Sequence, residues 1–468
     1  MWLTRQSLLN SCVRSSRRWC SSADTASNAV RTCIVGSGPA GFYSAQFILK
    51  HLPNAKVDLI EKLPVPFGLV RFGVAPDHPE VKNVINSFSK TAEKPNFRFF
   101  GNLTLGKDVT LDELRRKYDV VLLTYGADID STLEIPGEDK KNVIAARCFV
   151  GWYNGLPELE NLNPDLSNEN VVLLGQGNVA VDVARILLAP IDELRKTDIT
   201  EHALEALSRS RVKNVYLVGR RGPIQAAYTI KELREMLKLP KVDTVWRAND
   251  FTGVEEQILT LERPRKRITE LMVKSLKEAK TNGDKKFIPV FFRSPIEING
   301  GERVDSVSFK VTKLENHRAI ATDEIETIKA GLVCRSIGYK SISVDPSINF
   351  DEKLGKVHNI QGRVLEKDSS DPVPGLYAAG WLATGPSGVI LTTMNNAFAV
   401  GHTIVNDILS GAIKSDTSKT GIDTKQHRVV TWKDWQEIDR REVETGAKAN
   451  KPRVKILRVD EMMKIVES

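Results

Sequence analysis

The sequence predicts an α/β protein with two Rossmann-like dinucleotide-binding domains. A strand–helix–strand pattern with a glycine-rich first turn occurs twice, at 30–61 and at 171–221, and the two copies close on opposite charges. Two further strand-then-glycine stops, at 332–338 and 375–380, indicate strands beyond those units. The 468 residues suffice for two or three domains. A composition of 41% hydrophobic and 27% charged residues is that of an ordinary globular chain.

The first residues read differently from the rest. Arg5, Arg14, Arg17 and Arg18 stand among many serines with no acid before Asp24, and Leu3, Leu8, Leu9 and Val13 recur at near-helical spacing. Arg-rich, Ser-rich and acid-free is the signature of a mitochondrial presequence, so residues 1–26 are expected to be removed on import to the matrix. No apolar stretch approaches the roughly 18 uncharged residues that span a bilayer, so membrane contact is expected to be at most peripheral, on the inner mitochondrial membrane.

Val30 to Val35 is a β-rich run that stops at Gly36, followed by a helical pattern from Ala40 to about Lys50 and a second strand from Lys56 to Ile60. Between strand and helix lies Gly36-Ser-Gly38-Pro-Ala-Gly41. Gly36 permits the tight turn, Gly38 lets the backbone approach a pyrophosphate, and Gly41 lets helix and strand pack closely. Ending the second strand, twenty residues after Gly41, is Glu61. A carboxylate there accepts hydrogen bonds from ribose hydroxyls and repels a 2′-phosphate, so this unit suits FAD or NAD(H).

Val120 to Tyr125 is another buried-strand run. The second unit begins at Val171, carries Gly175-Gln176-Gly177-Asn178-Val179-Ala180, continues as a helix to Leu188, and closes with the strand Asn214–Val218. Gly219-Arg220-Arg221 follows that strand. Two guanidiniums at that point suit a 2′-phosphate through forked, charge-assisted hydrogen bonds, which makes NADPH the natural ligand. With NADPH in the second unit, the first ligand is most simply FAD, and hydride passes from nicotinamide to flavin without an obligatory acid or base. Gly375 to Trp381 and Gly385 to Ile390 pair a strand stop with a helix start, whose N–H groups suit the pyrimidine end of a flavin. Trp381 either packs on the isoalloxazine or serves the core. The polar region 411–430 reads as a loop leading into a C-terminal tail.

Residues 209–274 hold 15 Lys/Arg against 8 Asp/Glu within a chain of net charge +8. A local surplus of that kind suggests an anionic partner steered by charge. No nucleic-acid recognition motif accompanies it. Cys33, Cys148 and Cys334 are far apart and no Cys-x-x-Cys occurs, which argues against a disulfide framework, a redox dithiol or a cysteine-held cluster. No metal-ligand spacing such as His-Glu-x-x-His is present.

Several longer runs resemble the adrenodoxin reductase family of mitochondrial NADPH:ferredoxin oxidoreductases. They are Pro64 to Asn83, Phe149 to Pro157, Gly175 to Leu188, Val218 to Pro223, Thr229 to Met236, Arg263 to Arg267 and Ser336 to Ser341, and the similarity extends over residues 30–468. It implies FAD contacts at Ala40, Glu61, Leu69, Leu105, Trp381 and Gly388, Val389 and Ile390. At Leu105 the family pattern often has valine, a change that a backbone contact tolerates. NADP contacts fall on Gln176, Gly177, Asn178, Val179, Arg220, Arg221, Glu232 and Gly388. Docking residues for an acidic 2Fe–2S ferredoxin of adrenodoxin type map onto Arg234, Arg263 and Arg267, inside the basic stretch. Asp182 and His78 match family positions, either lining the site or serving the structure.

The expectation is therefore a monomeric oxidoreductase. Its FAD domain is discontinuous, at 27–130 and 332–468, and an NADP domain is inserted at 131–331. It moves electrons from NADPH to a ferredoxin that serves steroid-hydroxylating cytochromes, iron–sulfur cluster assembly, or both. The rivals are a flavin subunit of glutamate-synthase type, which usually brings cysteine-held clusters of its own, and a non-catalytic NADP(H)-responsive module. A thioredoxin-reductase-like enzyme would need the missing dithiol.

Overall fold

The computed structural model describes residues 29–278 and 283–468, so the expected presequence lies outside the described residues. Each strand–helix–strand pattern belongs to a sheet of its own. In the first, Arg31–Val35 runs parallel to Lys56–Ile60 on one side and to Val120–Leu123 on the other. Phe97–Phe100 and Pro372–Ala378 extend the parallel part, and a small antiparallel edge completes seven strands. The second sheet has six strands, all parallel, with Asn170–Leu174 and Asn214–Val218 at its middle.

Strands covered by helices on both faces must be apolar throughout, and Val120–Leu123 and residues 171–174 are buried at every position. Each sheet has its own core: one holds Phe42, Phe67, Phe88 and Phe99, the other Phe149, Val183, Leu217 and Phe287. The fingerprint helices span Pro39–His51 and Asn178–Leu188, within a residue of the periodicity reading.

Three features depart from expectation. Leu332–Arg335, read as the start of the return to the first domain at 332, pairs between Val143–Ala145 and Asn170–Leu174 in the second sheet. The chain therefore re-enters the first sheet only after Arg335. An apolar run reports burial, and which sheet it joins is decided by pairing partners that its own residues do not name. A three-stranded antiparallel sheet, Arg293–Asn299, Ser306–Glu315 and Arg318–Lys329, was not anticipated. The C-terminal tail is built: Thr431 and Asp434 form a reciprocal capping box that starts the helix Trp432–Lys448, and Val459–Val466 packs beside it. Trp435, Ile438 and Met462 of this pair lie in the first core. No described helix is long and apolar enough to cross a membrane. Cys33 and Cys334 are buried, Cys148 is half-buried, and all three are unpaired thiols.

Candidate functional site: two nucleotide crevices and the seam between them

At the first crevice the backbone turns through Gly36 at φ +107°, where a Cβ would stand 2.7 Å from the Thr124 carbonyl oxygen. A Cβ on Gly41 would lie 2.1 Å from the Gly36 carbonyl, so strand and helix touch backbone to backbone. A Cβ on Gly38 meets nothing within 4 Å, which leaves the face of that turn open to a phosphate at the helix start. Ala40 is buried beside it. Glu61 is fixed by this same turn: Oε2 accepts the Ser37 N–H at 2.9 Å and the Ser37 hydroxyl at 2.7 Å, while Oε1 accepts the Leu63 N–H at 3.1 Å.

The other residues implied for this crevice fall in three places. Leu69 starts a short helix and is 41% exposed, whereas Leu105 is 8% exposed and packed in the first unit's core. Val389 and Ile390 open the helix Ile390–Leu409, with Gly388 before them at φ +82°. Trp381 is half-buried and stacked on Tyr339, ring centroids 5.6 Å apart and planes 23° apart. Its indole nitrogen is buried and makes no hydrogen bond within the protein. A buried donor without a partner on Trp381 and an open cradle at Gly38 both fit a flavin nucleotide.

The second crevice repeats the geometry. Gly175 turns at φ +122°, and a Cβ on Gly177 meets nothing within 4 Å. The Gln176 amide donates to the carbonyls of Leu217 and Val290, tying the turn to the ends of two strands. Asn178 Oδ1 accepts the Thr229 N–H at 2.8 Å. Val179 packs against the core below. Arg220 and Arg221 have pinned backbones: the Arg220 carbonyl accepts the Thr312 hydroxyl at 2.7 Å, and the Arg221 carbonyl accepts the Phe292 N–H at 3.2 Å. Their side chains are exposed, and neither enters an ion pair among the described residues. Two free guanidiniums on a fixed backbone form an anion fork.

Between the crevices lies a cluster that the sequence only half announced. Arg185, 3% exposed, is its hub. It donates to both oxygens of Asp77 at 2.5 and 3.2 Å, to Asp182 at 2.7 Å and to Glu232 at 3.1 Å. His78 Nε2 lies 2.6 Å from Glu235 Oε2. Asp182 and His78 are thus brought together, and Glu232, implied as an NADP contact, is buried within the network. Ligand atoms of His78, Asp182 and Glu232 lie within 4.8 Å of one another, but Arg185 already supplies the positive charge that a cation would bring. Burial drives the Asp182 carboxyl up to about 8, with Glu232 adding to the shift and Arg185 opposing it. Asp77, bonded twice to Arg185, is lowered despite its burial. Arg185, Asp77 and Glu235 were missed; the available signal was an arginine three residues after Asp182 on a mostly apolar helix.

Asp77 bonds Arg185, His78 bonds Glu235, Glu80 bonds Lys231 at 2.8 Å and Lys82 bonds Asp198 at 2.7 Å. Four polar links in six residues join the first unit to the second.

Arg234, Arg263 and Arg267 are all exposed, on the neighbouring helices Ile230–Leu237 and Arg263–Lys277, and none enters an ion pair among the described residues. The second helix also touches Pro223–Gln225, just beyond the Arg220–Arg221 fork.

A family model described as an NAD(P)-binding Rossmann-like domain matches residues 34–103. The chain is 60% identical to the mitochondrial NADPH:adrenodoxin oxidoreductase of Drosophila melanogaster, with 93% of each chain covered. It is 47% identical to the human protein of the same name, covering 96% of this chain and 94% of that one. Among solved structures it resembles Mycobacterium tuberculosis FprA in complex with NADPH, with a TM-score of 0.87 and 37% identity over 94% of this chain and 100% of that one.

Proposed function

The chain belongs to the NADPH:adrenodoxin oxidoreductase family, and on that premise we propose that it takes hydride from NADPH onto FAD and delivers electrons singly to a 2Fe–2S ferredoxin of adrenodoxin type. The observation that carries this reading is the contrast between the two crevices. Glu61 closes the first with its charge aimed at the turn, and the Arg220–Arg221 fork closes the second with its charge free.

FAD is needed because it accepts a two-electron hydride and releases electrons one at a time. What the chain's residues do is bind and orient. Gly36, Gly38 and Gly41 admit the FAD pyrophosphate, Glu61 takes ribose hydroxyls, and Trp381 offers its free indole N–H, with Leu69 and Gly388 to Ile390 lining the crevice. Leu105 contributes through its backbone, since its side chain is committed to the core. Gly175, Gln176, Gly177, Asn178 and Val179 cradle the NADPH pyrophosphate, and Arg220 and Arg221 select its 2′-phosphate. Arg185 keeps Asp182 and Glu232 in place from behind.

Arg234, Arg263 and Arg267 form the docking face for the acidic ferredoxin, where unpaired exposed cations give fast, salt-sensitive encounter. We place the mature protein in the mitochondrial matrix as a monomer, touching the inner membrane at most peripherally. The FAD unit spans 27–130 and the segment after Arg335, and the NADP unit lies between.

The test is rapid mixing of purified, flavin-loaded protein with NADPH and then with an oxidised 2Fe–2S ferredoxin. Flavin absorbance bleaches and the ferredoxin is then reduced. A yellow protein that NADPH leaves oxidised would overturn the assignment.

A further inference from the structure

Residues 449–458 have no regular secondary structure, yet Lys451 and Lys455 within them are each only 6% exposed. The segment is anchored to the first unit. Val454 N–H donates to the Glu442 carbonyl and Ile456 N–H to Glu442 Oε1, both at 2.9 Å, and Glu442 is in turn held by Arg71 at 2.5 Å. Its lysines reach into the second unit. Lys455 Nζ donates to the Asn154 carbonyl at 2.9 Å, pairs with Asp198 at 3.1 Å, and keeps one bond, at 3.3 Å, to the Arg71 carbonyl of its own side. Lys451 Nζ donates to the Ile199 carbonyl at 3.1 Å and pairs with Glu201.

A buried ammonium is costly unless every one of its protons meets an acceptor, so this geometry tolerates little sliding of one unit past the other. Hydride transfer has a comparable tolerance, because misplacement by about 1 Å costs on the order of a hundredfold in rate. We propose that the C-terminal strap is an interdomain latch in which Lys455 and Lys451 are positioning residues, fixing the NADPH-binding unit against the flavin unit. The inference rests on the coenzyme assignment above. It adds that alignment for hydride transfer is set partly by residues that the coenzyme assignment does not use.

Lys455→Met and Lys451→Met in the full, flavin-loaded protein test it. Three quantities are read: hydride transfer in rapid mixing, the dissociation constant of NADP+, and amide hydrogen exchange at residues 152–155 and 198–201. The latch predicts transfer slowed about ten- to a hundredfold, NADP+ affinity unchanged, and faster exchange at those amides. Wild-type transfer together with wild-type exchange would overturn it, as would transfer and NADP+ affinity falling in proportion. If Lys455→Met fails to load flavin, Lys451→Met decides alone, since it gives up a pair whose acid is already 60% exposed. Wild-type protein that NADPH does not reduce would sink the functional assignment instead, and the exchange measurement would then judge the latch by itself.

Discussion

Ser37 gives Glu61 two hydrogen bonds on one oxygen, from its backbone at 2.9 Å and its hydroxyl at 2.7 Å. The carboxylate that receives a ribose is therefore set by the turn that receives the phosphates. Glu61→Ala removes both functions, and hydrogen bonds to a charged group contribute roughly 1.5–3 kcal/mol each. The variant is expected to purify with much of its flavin lost, read as the ratio of flavin to protein absorbance. Ser37→Ala should show a smaller loss of the same kind, because its backbone N–H remains.

The Arg220–Arg221 fork makes a prediction about choice between coenzymes. Replacing both by Ala should weaken NADPH by roughly 1.5–3 kcal/mol per lost charge-assisted contact and leave NADH nearly unaffected. Kinetic constants for the two coenzymes measure this. Equal losses for both would mean that the fork does not read the 2′-phosphate.

Charge reversal at Arg263 and Arg267, with Arg234 as a third position, should slow ferredoxin reduction and flatten its salt dependence. Reduction of a small artificial acceptor by the same variants should stay at the wild-type rate. Unchanged ferredoxin kinetics at low salt would refute this docking face.

Asp182, raised to about 8 chiefly by burial, binds a proton in the folded protein that the unfolded chain releases near its ordinary value of about 4. The folded state is favoured by that proton below the unfolded value, and the advantage declines as pH rises through the folded one. A single proton corresponds to a slope of about 1.4 kcal/mol per pH unit. Asp182→Asn, which mimics the protonated acid, should lack this decline between about pH 4 and 8. Denaturant melts of both proteins across that range measure the difference, and parallel curves would count against a protonated Asp182.

Much of this was legible in the sequence, because its signals are local. The glycine spacing and the acid or arginines after each second strand lie within single strand–helix–strand units, where chain order and spatial order coincide. Arg185 was harder to see, since an arginine on an apolar helix reads as an interruption until Asp77 arrives from the other unit to meet it. Leu332–Arg335, expected at the start of the first domain's return, pairs in the second sheet for a related reason: its apolar residues state that it is buried and are silent on its neighbours. The strap lysines were unreadable, because a lysine in a polar tail ordinarily faces water.

The short run from Asp77 to Lys82 meets a different acceptor or donor across the seam at four of its six positions. Inserting or deleting one amino acid there would unseat every link downstream of the change at once. Anyone transplanting this coenzyme module onto another flavoprotein must therefore move the run and its four counterparts as a single cassette.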